Sequence, residues 1–249
     1  MDSLNKKNFD IVSTYSGDKC LPFLKTTDKL NGLDLDLGNM SGHFPFKLGL
    51  SGKHIDIPTS EHLYVCGFFS DGSEMQTSIQ RQILFEPNAM MMKRKYRKGM
   101  HDNGRSDFDS SSWRFEWMLF CVWSKVQGNA IFRENLAKIP DEHFIIENEN
   151  KDGVNPLWGC YNGTVRTLIN RWCKEHENSF KTKAAFERAK DEYRLSISNQ
   201  GEWRGYNVLG KILMMCRDAV HKGNSPDIDY ALLQKAGIHL LGDKLLQYY

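Results

Sequence analysis

The spacing of apolar residues changes at Pro58. Over residues 1–57 they come in short pieces, such as Phe44-Pro45-Phe46 and Ile55-Asp56-Ile57, set among Gly, Asp and Lys. That pattern predicts short strands and turns. Beyond Pro58 the period becomes helical. Ser60 is placed to cap a helix over 61–69, and Ser73-x-x-Gln76 matches a capping box ahead of Met75, Ile79 and Ile83. Pro87 suits a first helical turn and opens a segment running to about residue 98. A polar loop over 99–112 follows. The segment 113–130 then reads as the clearest amphipathic helix, with Phe115, Met118, Leu119, Val122 and Val126 on one face, and it also carries Lys125 and Gln127. Phe186, Ala189 and Tyr193 mark a helix between Thr182 and Leu195. Leu209, Ile212, Leu213 and Cys216 mark another over 206–220, and a last helix follows Ser225-Pro226. The expected class is α+β, mainly helical, with a minor N-terminal sheet.

Composition narrows the function classes. The chain of 249 residues has 12% aromatic and 40% hydrophobic residues, which excludes a disordered polymer. A formal net charge of +2 excludes a bulk polycation, so any contact with nucleic acid must use a local patch. The six cysteines show no CxxC pairing, and Cys66, Cys121 and Cys216 sit in apolar runs, as expected of a protein in a reducing compartment. Met1 to Gly17 has no apolar core of a signal peptide and no long apolar run follows, so neither secretion nor a membrane partner is expected.

Standard catalytic templates fail. Glu61-His62 lacks the second His of HExxH, and no His pair has metal-ligand spacing, so no metal is expected. Neither a phosphate-binding Gly-rich loop nor a GxSxG elbow is present. The strongest charge feature is Lys93-Arg94-Lys95-Tyr96-Arg97-Lys98. On an α-helix, Lys93, Arg94, Arg97 and Lys98 would span an arc of about 140° and present a phosphate-binding stripe. A solvated helix face explains the same run. Taken singly, Glu61 reads as a helix-start carboxylate, Trp158-Gly159 as an aromatic on a turn, and Asn207 as a cap.

The order of these pieces is more specific than any one of them. Pro58-Thr59-Ser60-Glu61-His62 precedes the basic segment, Trp113 and Glu147. Trp158-Gly159 comes next, and last Gly205-Tyr206-Asn207-Val208-Leu209-Gly210-Lys211-Ile212-Leu213-Met214-Met215-Cys216-Arg217. This order resembles the NADAR (YbiA-like) family, whose members carry P-T-S-E-H-Y-F-Q, a G-R basic segment, W-G-x-G and G-x-N-x-L-G-x-x-L-M-x-x-R. The likeness spans about residues 40–220. Here Leu63-Tyr64-Val65 replaces Y-F-Q, Arg94-Lys95 replaces G-R, and the second Gly after Trp158 is missing or displaced to Gly163. The family's acidic residue falls on either Glu147 or Glu149.

The resemblance implies a single NADAR-like catalytic domain over 40–220 with a helical insertion at about 162–202. An N-terminal extension (1–39) packs on it, and a C-terminal helical extension (221–249) follows. It also implies hydrolysis of N-glycosidic bonds to ribose without a cofactor. Such cleavage builds an oxocarbenium-like sugar, so a carboxylate must activate water or stabilise charge. By resemblance Glu61 takes that role, flanked by Ser60 and His62. Arg94 and Lys95 hold phosphate, Trp113 or Trp158-Gly159 stacks the base, and Glu147, Asn207 and Gly210 complete the substrate site. The extended basic run favours a polymeric substrate: ADP-ribose linked to guanine in DNA, including single-stranded nucleic acid. Removing it would reverse a toxin or defence modification in the cytoplasm of a bacterial or phage-infected cell. Small phosphorylated ribosides of the riboflavin pathway, or binding of ADP-ribose without turnover, are the alternatives. Oligomeric state is not legible in the chain.

Overall fold

The computed structural model describes residues 7–149 and 155–245. The outermost ends of the sequence-predicted extensions, 1–6 and 246–249, lie outside the described residues. In chain order the strands and helices begin with β1 (Ser13–Ser16), β2 (Cys20–Phe23), β3 (Lys29–Leu30), β4 (Leu33–Asp34), β5 (Phe46–Leu50) and β6 (Lys53–Ile57). Next come α1 (Ser60–Phe68), α2 (Glu74–Phe85), α3 (Ala89–Met92), a π-helical segment (Lys93–Lys98), α4 (Trp113–Gly128), α5 (Ala130–Ala137) and β7 (Phe144–Glu147). The chain continues through α6 (Gly163–His176), α7 (Lys183–Ser196), β8 (Glu202–Gly205), α8 (Val208–Lys222), α9 (Tyr230–Ala236), β9 (His239–Leu240) and β10 (Asp243–Lys244). The class is α+β with helices dominant. No helix among the described residues is long and apolar enough to cross a membrane.

Two compact units share the chain: residues 1–38 with 137–217, and residues 39–136 with 218–249. In the first, β1 pairs antiparallel with β8 and β2 pairs parallel with β7. Of the N-terminal strands, β3 pairs with β4 and β5 with β6, as the sequence pattern suggested, but β1 and β2 do not pair locally. They recruit partners more than a hundred residues away, which no local periodicity encodes. Cys160 bridges to Asn148 and Tyr161 to Arg204, so this short segment links the end of β7 to β8. Tyr15, Cys20, Ile146, Cys160, Val165, Ile197 and Trp203 form a buried cluster against this strip, with Phe144, Leu168, Ile169 and Tyr193 on its margin. The insertion is a pair of helices, α6 and α7. Trp172 stacks on His176 and Tyr193 and meets Phe180 and Phe186. Arg194 of α7 is paired with buried Asp28, and Lys25 with Asp191 at 2.6 Å, which fixes α7 to the loop after β2.

In the second unit β5 and β6 form a hairpin whose two-residue turn, Ser51-Gly52, has φ of 48° and 75°. Both turn residues are left-handed, as the twist of a tight hairpin requires. The centre is α4. The sequence suggested an amphipathic helix, but Trp117, Met118, Leu119, Cys121, Val122, Lys125 and Val126 are all at most 1% exposed, so it is buried on nearly every side. Lys125, among these buried residues, lies with its Nζ 3.9 Å from the centroid of the Phe132 ring. The α1 helix is buried along its whole length. Trp117 Nε1 donates to the Tyr64 carbonyl at 3.1 Å, tying α4 to α1.

Candidate active site

Helix α1 begins one residue earlier than expected. Thr59, not Ser60, is the N-cap, with Oγ1 accepting from the His62 amide at 3.3 Å. This puts Ser60, Glu61 and His62 in the first turn, and each polar side chain finds a partner in the same unit. Ser60 Oγ donates to the Asn39 carbonyl at 3.2 Å, and that carbonyl also accepts the Glu61 amide at 2.9 Å. The Glu61 side chain is 2% exposed. Its Oε1 lies 2.9 Å from Lys93 Nζ, and its Oε2 accepts from Asn39 Nδ2. The His62 ring bridges Thr59 Oγ1 and the Glu86 carbonyl, both at 2.8 Å. Burial lowers the His62 pKa, against the opposing influence of the Glu86 carbonyl and the Glu61 charge, so its neutral form is favoured. Burial foremost, with the Glu61 charge, raises the pKa of the Tyr64 hydroxyl.

Lys93 reaches Glu61 because 93–98 is not an α-helix. The Gly99 amide bonds back to the Arg94 carbonyl at 3.0 Å, five residues away, which is π-helical closure. The wider turn splits the basic stripe expected from α-helical spacing. Lys93 turns to Glu61, and Arg97 turns to Asp109 while its guanidinium lies 3.8 Å from the Phe68 ring centroid. Arg94, Lys95 and Lys98 stay exposed. Pro87 also sits differently from expectation. It precedes Asn88, the cap of α3, whose Oδ1 accepts from the Met91 amide at 2.9 Å.

Trp113 does not offer an open stacking face. It is 4% exposed, edge-on to Phe108 at 5.1 Å, with the Arg105 guanidinium 4.8 Å from its ring and its Nε1 donating to Asp107 at 3.3 Å. That hydrogen bond, after the larger effect of the Arg105 bond, helps hold the Asp107 carboxyl below its usual pKa.

The remaining sequence-predicted residues lie together in the first unit and serve its backbone. Asn207 precedes α8 with φ of 52°. Its carbonyl starts the helix by accepting the Lys211 amide at 2.8 Å, but its side chain is not a cap. Oδ1 accepts from the Glu147 amide at 3.2 Å and Nδ2 donates to the Ile145 carbonyl at 2.9 Å, clamping β7. The amides of Asn207, Val208 and Leu209 bond the carbonyls of Gly159, Leu157 and Trp158, closing the start of α8. A Cβ at Gly210 would lie 2.2 Å from the Ile145 carbonyl oxygen, and one at Gly159 would lie 2.1 Å from that of Glu147. Those positions need glycine because backbones meet there. Glu149 accepts the Gly159 amide at 2.9 Å, whereas Glu147 acts through its main chain, donating to Asn207 and accepting from Cys160 at 2.7 Å. Arg217, 0% exposed, bonds the carbonyls of Pro140, Asp141 and His143. Trp158 is half-buried.

The cysteines are free thiols, and burial raises the pKa values of Cys66, Cys121 and Cys160, which suits packing rather than nucleophilic attack. Among the described residues no group of three or more His, Cys, Asp or Glu is placed to hold a metal ion. Sequence reasoning missed Asn39 and did not single out Lys93 within its run. The one available signal for Lys93 was its place at the head of the basic segment. No protein-family model matches the chain, and no curated protein matches it.

Proposed function

We propose that the protein is a NADAR-type N-glycosidase that releases ADP-ribose from ADP-ribosylated guanine in DNA, acting in the cytoplasm to reverse a toxin or defence modification. The observation that carries this reading is the Glu61 carboxylate, buried in the first turn of α1 and gripped by Lys93 and Asn39. Breaking the bond between ribose C1″ and the guanine nitrogen leaves positive charge on the sugar. A carboxylate beside that carbon can stabilise the charge and take a proton from the attacking water. The Lys93 ammonium and the Asn39 amide fix the orientation of Glu61. Lys93 is 38% exposed, so it stands on the solvent side of the pair. Arg94 and Lys95, exposed on the same π-helical segment, supply charge for the diphosphate.

The test is release of free ADP-ribose from guanine-modified single-stranded DNA by wild-type protein and by Glu61→Gln. Loss of a general acid–base group lowers the rate by about 10²–10⁴-fold. Equal rates would refute the role of Glu61, and no release by wild type would refute the reading. The burial of Glu61 also favours a second reading, a non-catalytic ADP-ribose-binding module in which the ion pair is structural. Saturable ADP-ribose binding without turnover in the same experiment selects it.

A further inference from the structure

A groove of about 580 Å³ is lined by Arg81, Gln82, Phe85, Glu86, Pro87, Lys95 and Tyr96, and the carbonyl of Glu86 is the one that meets the His62 ring. The groove's size falls within the range of about 300–1,000 Å³ typical of small-molecule sites. Phe85, the last residue of α2, is 90% exposed, at an end of the helix where Ile83 is the nearest buried neighbour. Tyr96 forms the floor. It is 3% exposed, its hydroxyl donates to Gln82 at 3.4 Å, and Lys95 Nζ lies 5.0 Å from its ring centroid. Arg81 and Lys95 put two exposed cations on the walls. The one acid, Glu86, uses its carboxylate to accept the Asn88 amide at 3.2 Å and its carbonyl to hold His62. A lone exposed aromatic means little. One that borders a groove between two cations matches a ligand with a flat apolar ring and flanking negative charge. A nucleotide within a strand has that chemistry: base–aromatic stacking needs an unstacked base, and Arg and Lys track phosphates.

We propose that this groove binds single-stranded nucleic acid, one base stacking on Phe85 while neighbouring phosphates meet Arg81 and Lys95. The inference rests on the proposed function for its biological setting, since it names the form of DNA that the enzyme grips. Its own evidence is the groove. Duplex DNA, with its bases stacked, would engage only the cations.

The experiment is fluorescence anisotropy of the full chain with a labelled, unmodified oligothymidylate and with a duplex control over a series of salt concentrations. Because Phe85 is exposed, Phe85→Ala leaves the fold intact. It is expected to weaken strand binding by about 5- to 100-fold and duplex binding far less. Arg81→Gln and Lys95→Gln should each lower the slope of log K against log salt by about 0.7. Unchanged strand affinity in Phe85→Ala would overturn the proposal. So would a wild-type dimer that Phe85→Ala dissolves without altering strand affinity, since the groove would then be a contact between copies of this chain. If ADP-ribose release fails while Phe85-dependent strand binding persists, the groove assignment holds and only the enzymatic reading falls. Glu61-dependent release with no effect of Phe85 on binding gives the reverse.

Discussion

Replacing Lys93 with Met tests whether the buried Glu61 carboxylate depends on that ammonium. The two groups meet at 2.9 Å, with the Glu61 side chain 2% exposed and that of Lys93 38% exposed. A hydrogen bond to a charged group contributes about 1.5–3 kcal/mol to stability. Water reaches Lys93 and screens part of this, so about 1–2 kcal/mol is expected. Met keeps the long unbranched stem, so packing changes little. For a chain of this size each kcal/mol moves the melting temperature by about 2–4 °C, giving a drop of about 2–8 °C. Lys95→Met, at an exposed position on the same segment, should stay within about 0.5 kcal/mol of wild type. Unfolding followed by circular dichroism in wild type, Lys93→Met, Glu61→Gln and the double variant completes a cycle. The pair should appear as a coupling of about 1–2 kcal/mol, with Lys93→Met nearly silent once Glu61 is gone. Additivity within about 0.3 kcal/mol would refute the idea that the two side chains support each other.

Two further outcomes probe the elements around the site. Asn207→Ala removes two side-chain bonds to β7 and leaves Ala at φ of 52°, so a loss of about 3–5 kcal/mol in urea unfolding is expected. Asn207→Gly should recover about 1 kcal/mol of this by relieving the backbone; equal losses in the two variants would show that the left-handed conformation carries no strain. His62 has its pKa lowered by burial, so below about pH 6.5 the unfolded chain takes up a proton that the folded protein resists. Stability attributable to His62 is therefore whole above that pH and is lost as pH falls toward the lowered folded pKa. His62→Gln, which does not titrate, should flatten the fall in urea midpoint between about pH 7 and pH 5.5. Parallel curves would remove His62 from the pH response.

Helical rhythm was legible where the signal is local. The limits of α7, capped by Thr182, and the buried row Leu209, Ile212, Leu213 and Cys216 in α8 follow from spacing alone. Ser73 caps α2 as its motif implies, accepting from the Gln76 amide at 3.2 Å, but Gln76 reaches back to Asp71 rather than Ser73, so only half the box forms. Met75, on the predicted apolar row, is 52% exposed. What spacing could not carry is non-local. The pairings of β1 with β8 and β2 with β7, and the meeting of Asn39, Glu61 and Lys93, depend on tertiary packing. The π-helical turn is the sharpest case. Its residues have ordinary helical propensity, and only the changed hydrogen-bond register sends Lys93 and Arg97 away from Arg94, Lys95 and Lys98.

The two specific motifs differ in what the fold demands of them. In the first unit, Gly159 and Gly210 are required by backbone contact, and Asn207 and Arg217 spend their hydrogen bonds on neighbouring main chain. Packing alone accounts for those residue types. Glu61 differs. Helix α1 is buried throughout, and an apolar residue of similar volume at position 61 would satisfy it without a charge to desolvate. The first-turn position contributes at most about 2 kcal/mol through the helix dipole. Burying a carboxylate and part of an ammonium costs several kcal/mol before their mutual attraction is counted, and such pairs often do no better than a hydrophobic substitute. Stability therefore gives little reason for a carboxylate there. It gives little reason either for a π-helical turn, a rare geometry frequent at functional sites, whose effect here is to deliver Lys93 to Glu61. Two locally unfavourable features converging on one pair of side chains support a chemical role for Glu61 more strongly than motif order alone.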